Sequence, residues 1–122
     1  MEVIEAIKTR RSIRQYKPEP ITEEQISAVL EAARWAPSWG NTQCWRFIVV
    51  KDKEMKAKLS ETLTSWNPTR VQSSLEQAPV VIVACAELGK SGFRKGGLVT
   101  DKGDWYMFDV AIAMQNLALA AH

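Results

Sequence analysis

A layered α/β arrangement is what this chain's pattern predicts, on three observations. Two apolar, β-branched runs, WRFIVV (45–50) and PVVIVACA (79–86), have the composition of strands. The segments between them carry apolar residues at helical spacing, and helices that connect two strands pack on them in layers. The second run is apolar almost throughout, which is the pattern of a strand covered on both faces.

The elements follow in chain order. Val3, Ile4 and Ile7 share one helical face, so residues 2 to about 9 form a short amphipathic helix ending in an arginine cluster. Pro18 and Pro20 impose an extended connector. Thr22 then serves as N-cap of the next helix, Gln25 completes a capping box and Ile21 staples onto Ile26. Ile26, Val29, Leu30 and Ala33 make its buried stripe, and Pro37 stops it. After the first strand, Asp52 caps a helix with Met55, Leu59, Leu63 and Trp66 on one face. Asn67 and Pro68 break it, and Thr69 starts a further helix carrying Val71 and Leu75. Five glycines and the cations Lys90, Arg94, Lys95 and Lys102 fall between Glu87 and Asp104, giving a mobile loop that serves as a lid or a linker. Asp104 then caps a last helix, from Trp105 onward, that is apolar on nearly every side. Such a helix needs cover all round, and little of the chain is left to provide it. It also reaches His122 without a C-terminal glycine, a cationic last turn or a proline. The expectation is a partner subunit over this helix, a chain incomplete at its C-terminus, or both.

Composition narrows the function. With 122 residues, 46% of them hydrophobic and 25% charged, the chain is long enough to build a core and is expected to form one domain, 1–122. The formal charge is +2, and the first 20 residues carry it, with five Lys/Arg against three Glu. A nucleic-acid binder spreads a basic stripe over a face; a local cluster suits a small anion instead. Steep salt dependence of oligonucleotide binding is the mark such a binder would show. Cys44 and Cys85 make neither a disulfide framework nor a metal site, so a reducing cytoplasmic setting is the simpler expectation. The stretch Trp105–Ala121 is interrupted by Asp109, Gln115 and Asn116 and falls short of the ~20 residues a membrane span requires, so no membrane association is expected.

Few side chains suit catalysis. His122 is the one histidine and sits at the end of the sequence, leaving no material for a histidine triad or a zinc site. Cys44 has no histidine nearby to activate it. Asp109, midway along an apolar helix, is better suited to a structural hydrogen bond than to general-base work. GKS (89–91) resembles the end of a phosphate loop, but Ala84 stands where the leading glycine belongs and more loop follows.

Two stretches stand out. In RRSIRQYKP, Arg10, Arg11 and Arg14 surround Ser12, offering several charge-assisted donors and a hydroxyl within one turn. Cations at a helix C-terminus also complement the dipole, so on spacing alone a helix-end cluster and an anion site are equally served. In PSWGNTQCW, Ser38, Asn41 and Gln43 set donor-acceptor side chains beside aromatic residues, which suits a flat polar heterocycle. A surface turn with a tryptophan at each end is the plainer reading.

Taken in order, RRSIRQYKP, AARWAPSWGNTQCWRFIVV, APVVIVACA and DVAIAMQNLALAA resemble the nitroreductase family of FMN-dependent oxidoreductases. The resemblance implies an α+β sandwich, a central, mostly antiparallel sheet flanked by helices, of which this chain has the N-terminal portion and lacks the C-terminal part. It implies a homodimer with FMN at the interface and the apolar last helix in the dimer core. It implies that Arg10 and Ser12 face the phosphate and ribityl side of FMN, Arg14 the pyrimidine edge, and Arg11 contributes through its backbone. Pro37, Ser38 and Trp39 would come from the other subunit to border the flavin, with Asn41 and Gln43 anchoring the loop and the ring's polar rim. Hydride would pass from NAD(P)H through FMN to a small acceptor, a nitro compound or quinone, with no catalytic acid or base supplied by the protein. Cys44 stands where the family often has proline. A glycine-containing segment near flavin N5, a further strand and a basic pair belong to the family beyond the position of His122, so the rival expectation is a flavin-binding or structural remnant without turnover.

Overall fold

Local sequence signals set most element boundaries. The computed structural model describes residues 1–63 and 68–122. The order is α1 (Val3–Thr9), α2 (Glu23–Arg34), a 3-10 turn (Trp39–Asn41), β1 (Trp45–Val50), α3 (Lys53–Glu61), α4 (Pro68–Gln77), β2 (Val81–Ala86), β3 (Phe93–Arg94), β4 (Gly97–Leu98) and α5 (Tyr106–Ala120). The chain forms two compact units: Met1–Arg10, Glu23–Phe47 and Ala84–His122 in the first, Arg11–Thr22 and Ile48–Val83 in the second.

In the first unit α2 packs on α5. Ala33 and Ala113 are fully buried, and with Ala36 and Trp45 they form the core, against which Phe47, Val110, Ile112 and Leu117 pack. Alanines at the contact let the helix backbones approach closely, and the Trp45 indole fills the space beside them. Of the polar residues interrupting α5, Asn116 donates from Nδ2 to the Ala32 carbonyl of α2 at 3.2 Å. Gln115 faces solvent. Cover is incomplete, as the apolar character of α5 predicted: Met107, Phe108 and Met114 are 70%, 56% and 50% exposed. The apolar face of α1, with Val3, Ile4 and Ile7, is exposed too. Thr9 at its end meets His122 through a 2.8 Å hydrogen bond between Oγ1 and Nε2.

β1 and β2 are hydrogen-bonded neighbours. The Glu87 amide donates to the Cys44 carbonyl at 2.8 Å, so the start of β1 meets the end of β2 and the pair runs antiparallel. The expectation that β2 is covered on both faces is corrected: all six residues are half-buried and none is fully buried. β1 is its one neighbour among the described strands.

In the second unit α3 packs against α4. Asp52 caps α3 as expected, its Oδ2 accepting from the Met55 amide at 2.7 Å. The buried face differs from the one the apolar spacing indicated. Met55 is 46% exposed, whereas Lys56 and Ser60, one position further round the helix, are buried. Polar pairing decides it: Lys56 Nζ donates to the Ala78 carbonyl at 2.6 Å, and Ser60 Oγ donates to Glu76 Oε1 at 2.7 Å. Leu59 and Leu63 are half-buried, and Trp66 and Asn67 lie outside the described residues. α4 begins at Pro68, a residue suited to the first helical position because its missing N–H would have no partner there.

The glycine-rich stretch, expected as a mobile loop, holds a defined hairpin in the first unit. β3 and β4 pair antiparallel with Phe93 opposite Leu98 and Arg94 opposite Gly97. Lys95 and Gly96, at φ 51° and 75°, make the two-residue connection that suits the right-handed twist of paired strands. The base is fixed at several points. The Trp105 amide donates to the Ser91 carbonyl at 3.0 Å and the Val99 amide to the Gly92 carbonyl at 2.9 Å. Asp104 accepts from the Gly89 amide at 2.9 Å and from the Tyr106 amide at 3.0 Å, closing the stretch; the N-cap of α5 is Trp105, one position later than the sequence indicated, and carries no side-chain cap bond.

Candidate functional site

The loop from Pro37 to Gln43 is built by its own side chains. Gly40 and Asn41 are left-handed at φ 56° and 53°, and Gln43 at φ 48°. Glycine and asparagine tolerate that region, whereas glutamine there costs on the order of 1 kcal/mol and persists only where its surroundings fix it. They do so here. The Gln43 amide donates to Ser38 Oγ at 3.0 Å and Gln43 Nε2 to Asn41 Oδ1 at 2.9 Å. The sequence-predicted residues Ser38, Asn41 and Gln43 therefore form one hydrogen-bonded set, with Trp39 half-buried among them and Pro37 exposed at the entry. Gln43 also lines an open cleft of about 350 Å³ with Leu30, Arg34, Trp45, Arg46 and Phe47. Both cations of that cleft have acidic partners, Arg34 in Glu31 and Arg46 in Glu87. Hydrogen bonds from Arg34 and then Trp35 hold the Glu31 carboxyl below its usual range.

Asp109 is the hub beneath this loop. Its side chain is fully buried and accepts from the Trp39 amide at 3.1 Å on Oδ1 and from Ser91 Oγ at 2.6 Å on Oδ2. The Cys44 thiol approaches Oδ2 at 3.8 Å. One carboxylate of α5 thus ties the loop, the start of β1 and the hairpin base together, the structural hydrogen bonding the sequence favoured for it. Burial raises the Cys44 thiol pKa, and the Asp109 charge raises it further, so the sulfur stays protonated and a poor nucleophile. Half-buried Cys85 is therefore expected to alkylate with iodoacetamide at least about tenfold faster than Cys44 in the folded protein, with the two rates converging in denaturant. Peptide mass spectrometry of timed aliquots checks this; equal rates in the folded protein refute it.

The arginine stretch divides between the units. Arg10 is the C-cap of α1 in the first, its amide donating to the Ala6 carbonyl at 3.0 Å. Arg11, Ser12 and Arg14 belong to the second, in an exposed segment outside any helix or strand. Arg14 Nη1 donates to the Ser12 carbonyl at 3.2 Å, and the Arg14 carbonyl accepts from Ser74 Oγ of α4. Ser74 thereby fixes the backbone of the segment while the Arg11, Ser12 and Arg14 side chains remain at the surface.

Three participants were not legible as such. Ser91, within GKS, is fully buried on Asp109, and Lys90 pairs with Glu87 instead of pointing into a phosphate cradle. Arg94 places its guanidinium 5.3 Å from the centroid of the Trp39 ring. The third is the reach of Asp109 across the chain, for which spacing holds no signal. Among the described residues no group of three or more His, Cys, Asp or Glu side chains is arranged to hold a metal, and no helix is long and apolar enough to cross a membrane.

Comparison with known proteins assigns the family. The profile described as "Nitroreductase family" matches residues 7–122. A nitroreductase family protein from Clostridium novyi NT superposes with a TM-score of 0.84 at 29% identity, over 98% of this chain and 63% of its own. An FMN-dependent nitroreductase from Clostridium difficile R20291 superposes with a TM-score of 0.76 at 34% identity, over 98% of this chain and 60% of its own. The FMN reductase [NAD(P)H] of Bacillus subtilis is 39% identical over 90 residues, 74% of this chain and 34% of that protein. Against a curated relative from Methanothermobacter thermautotrophicus, 39% identical along all 122 residues, the chain covers 56% of the length. The fold is the α+β arrangement that the resemblance implied, and the chain belongs to the nitroreductase family.

Proposed function

We propose that the protein is an FMN-dependent oxidoreductase that uses NAD(P)H to reduce a small acceptor such as a nitro compound or quinone. It would work in the cytoplasm as a homodimer with FMN at the interface. The observation that carries this reading is the self-fixed loop Pro37–Gln43, whose left-handed backbone holds Ser38, Asn41 and Gln43 as a polar set beside Trp39. The donor set fits FMN: three arginines and a serine suit a phosphate and the polar edge of a ring, and the loop suits the ring's rim. Bound FMN would supply the two-electron relay between reductant and acceptor.

The protein's own part is then to bind and to tune. Arg10 and Ser12 hold the phosphate and ribityl side, Arg11 adds backbone contact, and Arg14 faces the pyrimidine edge. A guanidinium there stabilises the negative charge of the reduced ring and raises its potential. Pro37, Ser38 and Trp39 border the ring from the partner subunit, with Asn41 and Gln43 anchoring the loop. The exposed apolar surfaces of α1 and α5 are consistent with subunit contact.

FMN titration followed by visible absorbance tests the reading. Arg10→Ala is expected to weaken FMN binding about tenfold through loss of a charge-assisted phosphate contact. Arg14→Ala is expected to lower the flavin midpoint potential with a smaller change in affinity. A purified protein that is colourless and gains no bound-flavin absorbance when FMN is added overturns the proposal. Bound flavin without NAD(P)H oxidation leaves the binding site and removes the turnover.

A further inference from the structure

We infer that Arg94 is a specificity-determining residue that favours reactants bearing an oxyanion, phosphate or carboxylate, beside a planar ring; this rests on the reading of Trp39 as a border of the flavin site. The guanidinium lies 5.3 Å from the Trp39 ring centroid, and a methyl group added at Gly40 would stand 3.7 Å from Arg94 Nη2. The cation is therefore seated at the loop, over the aromatic surface a flat reactant would share. A cation–π contact occupies none of the five N–H donors of a guanidinium, which remain available to an oxyanion.

Charge pairing around the hairpin isolates this cation. Lys90 is paired with Glu87, and Lys102 lies 3.9 Å from Asp101. Asp104 accepts from two backbone amides and Asp109 is buried beneath the loop. Among the described residues no ion pair forms at Arg94 or Lys95, the two cations at the hairpin turn. The hairpin base is fixed by Ser91, Gly92 and Asp104, so the arm presents Arg94 from a rigid support. A mere fastening of hairpin to loop would be indifferent to reactant charge; a recognition element would not.

The test is calorimetric binding of two ligand pairs to the protein with FMN added, in wild type, Arg94→Gln and Arg94→Lys. The first pair, 4-nitrobenzoate and 4-nitrobenzamide, differs in charge on the same ring; the second, the oxidised nucleotides NADP⁺ and NAD⁺, differs by one phosphate and leaves the flavin unreduced. Arg94→Gln is expected to weaken the anionic member of a pair about tenfold, the scale of one hydrogen bond to a charged group, and the other member less than twofold. Arg94→Lys should restore part of the difference. A split in the nitrobenzoate pair assigns the oxyanion to the acceptor, and one in the nucleotide pair assigns it to the reductant. Equal losses in both members, or no loss in either pair, overturn the inference. Flavin binding recorded in the same samples separates the two readings: bound flavin with charge-blind ligands removes only the role of Arg94, whereas charge discrimination without bound flavin removes only the oxidoreductase.

Discussion

Asp109→Ala is expected to lower the free energy of unfolding by about 3 kcal/mol, measured by urea denaturation. The substitution removes the acceptor of the buried Ser91 hydroxyl and of the Trp39 amide, and the polar neighbour of the Cys44 thiol. Each buried donor left without a partner costs about 1–3 kcal/mol, and the vacated carboxylate volume adds a cavity. Asp109→Asn should cost less, about 1 kcal/mol, because an amide keeps one acceptor oxygen and the Ser91 hydroxyl can rotate to accept from its NH₂. A second readout reports the Asp109 charge apart from stability: Cys44 should alkylate faster in the Asn variant under native conditions, since the charge that helps hold its thiol pKa up is gone. A change below about 0.5 kcal/mol for Asp109→Ala would show that the loop and the hairpin base stand without the carboxylate.

Gly92→Ala is the second large effect, expected at about 3–4 kcal/mol. The residue sits at φ +87°, and an added Cβ would lie 2.6 Å from Trp105 Cδ1 and 2.9 Å from the Gly103 carbonyl oxygen. The left-handed conformation alone costs about 1–2 kcal/mol for an L-residue, and overpacking adds a further 1–3 kcal/mol. The Trp105 ring stands edge-on to Phe108 at 5.5 Å between centroids, which restricts its room to yield. Gly96→Ala supplies the control: at φ +75° with nothing within 4 Å of the added carbon, it should cost about 1 kcal/mol from the backbone alone. Thermal unfolding of the two variants side by side measures the difference, and equal shifts would show that the close approach at Gly92 is relieved by movement of Trp105.

The contrast between legible and hidden features follows interaction range. Asp52 was readable as a cap because it accepts from an amide three residues onward, a distance that sequence displays directly, whereas α5 begins one residue later than Asp104 suggested, with Trp105 as its N-cap. The sequence marked Ser38, Asn41 and Gln43 as polar groups beside aromatic residues, and their bonds to one another, within five residues, emerge only with the left-handed backbone of the loop. Asp109 was readable only as a residue needing a partner, because the partners lie 70, 65 and 18 positions away. The buried side of α3 was misassigned because apolar spacing cannot foresee that Lys56 finds the Ala78 carbonyl and Ser60 finds Glu76. The hairpin was hidden by its glycines, which signal turns and mobility alike until the register of Phe93 with Leu98 is known.

The position of Asp109 along the chain also orders events at the ribosome. Trp39 precedes it by 70 residues. At about 5–20 residues per second, the loop emerges roughly 4–14 s before the carboxylate that holds its backbone. Until α5 follows, the Trp39 amide and the Ser91 hydroxyl have only water to bond with, and the loop is held by its own bonds among Ser38, Asn41 and Gln43 alone. The loop is therefore anchored retroactively, its tie to α5 made last, although it is among the earlier segments to be synthesised.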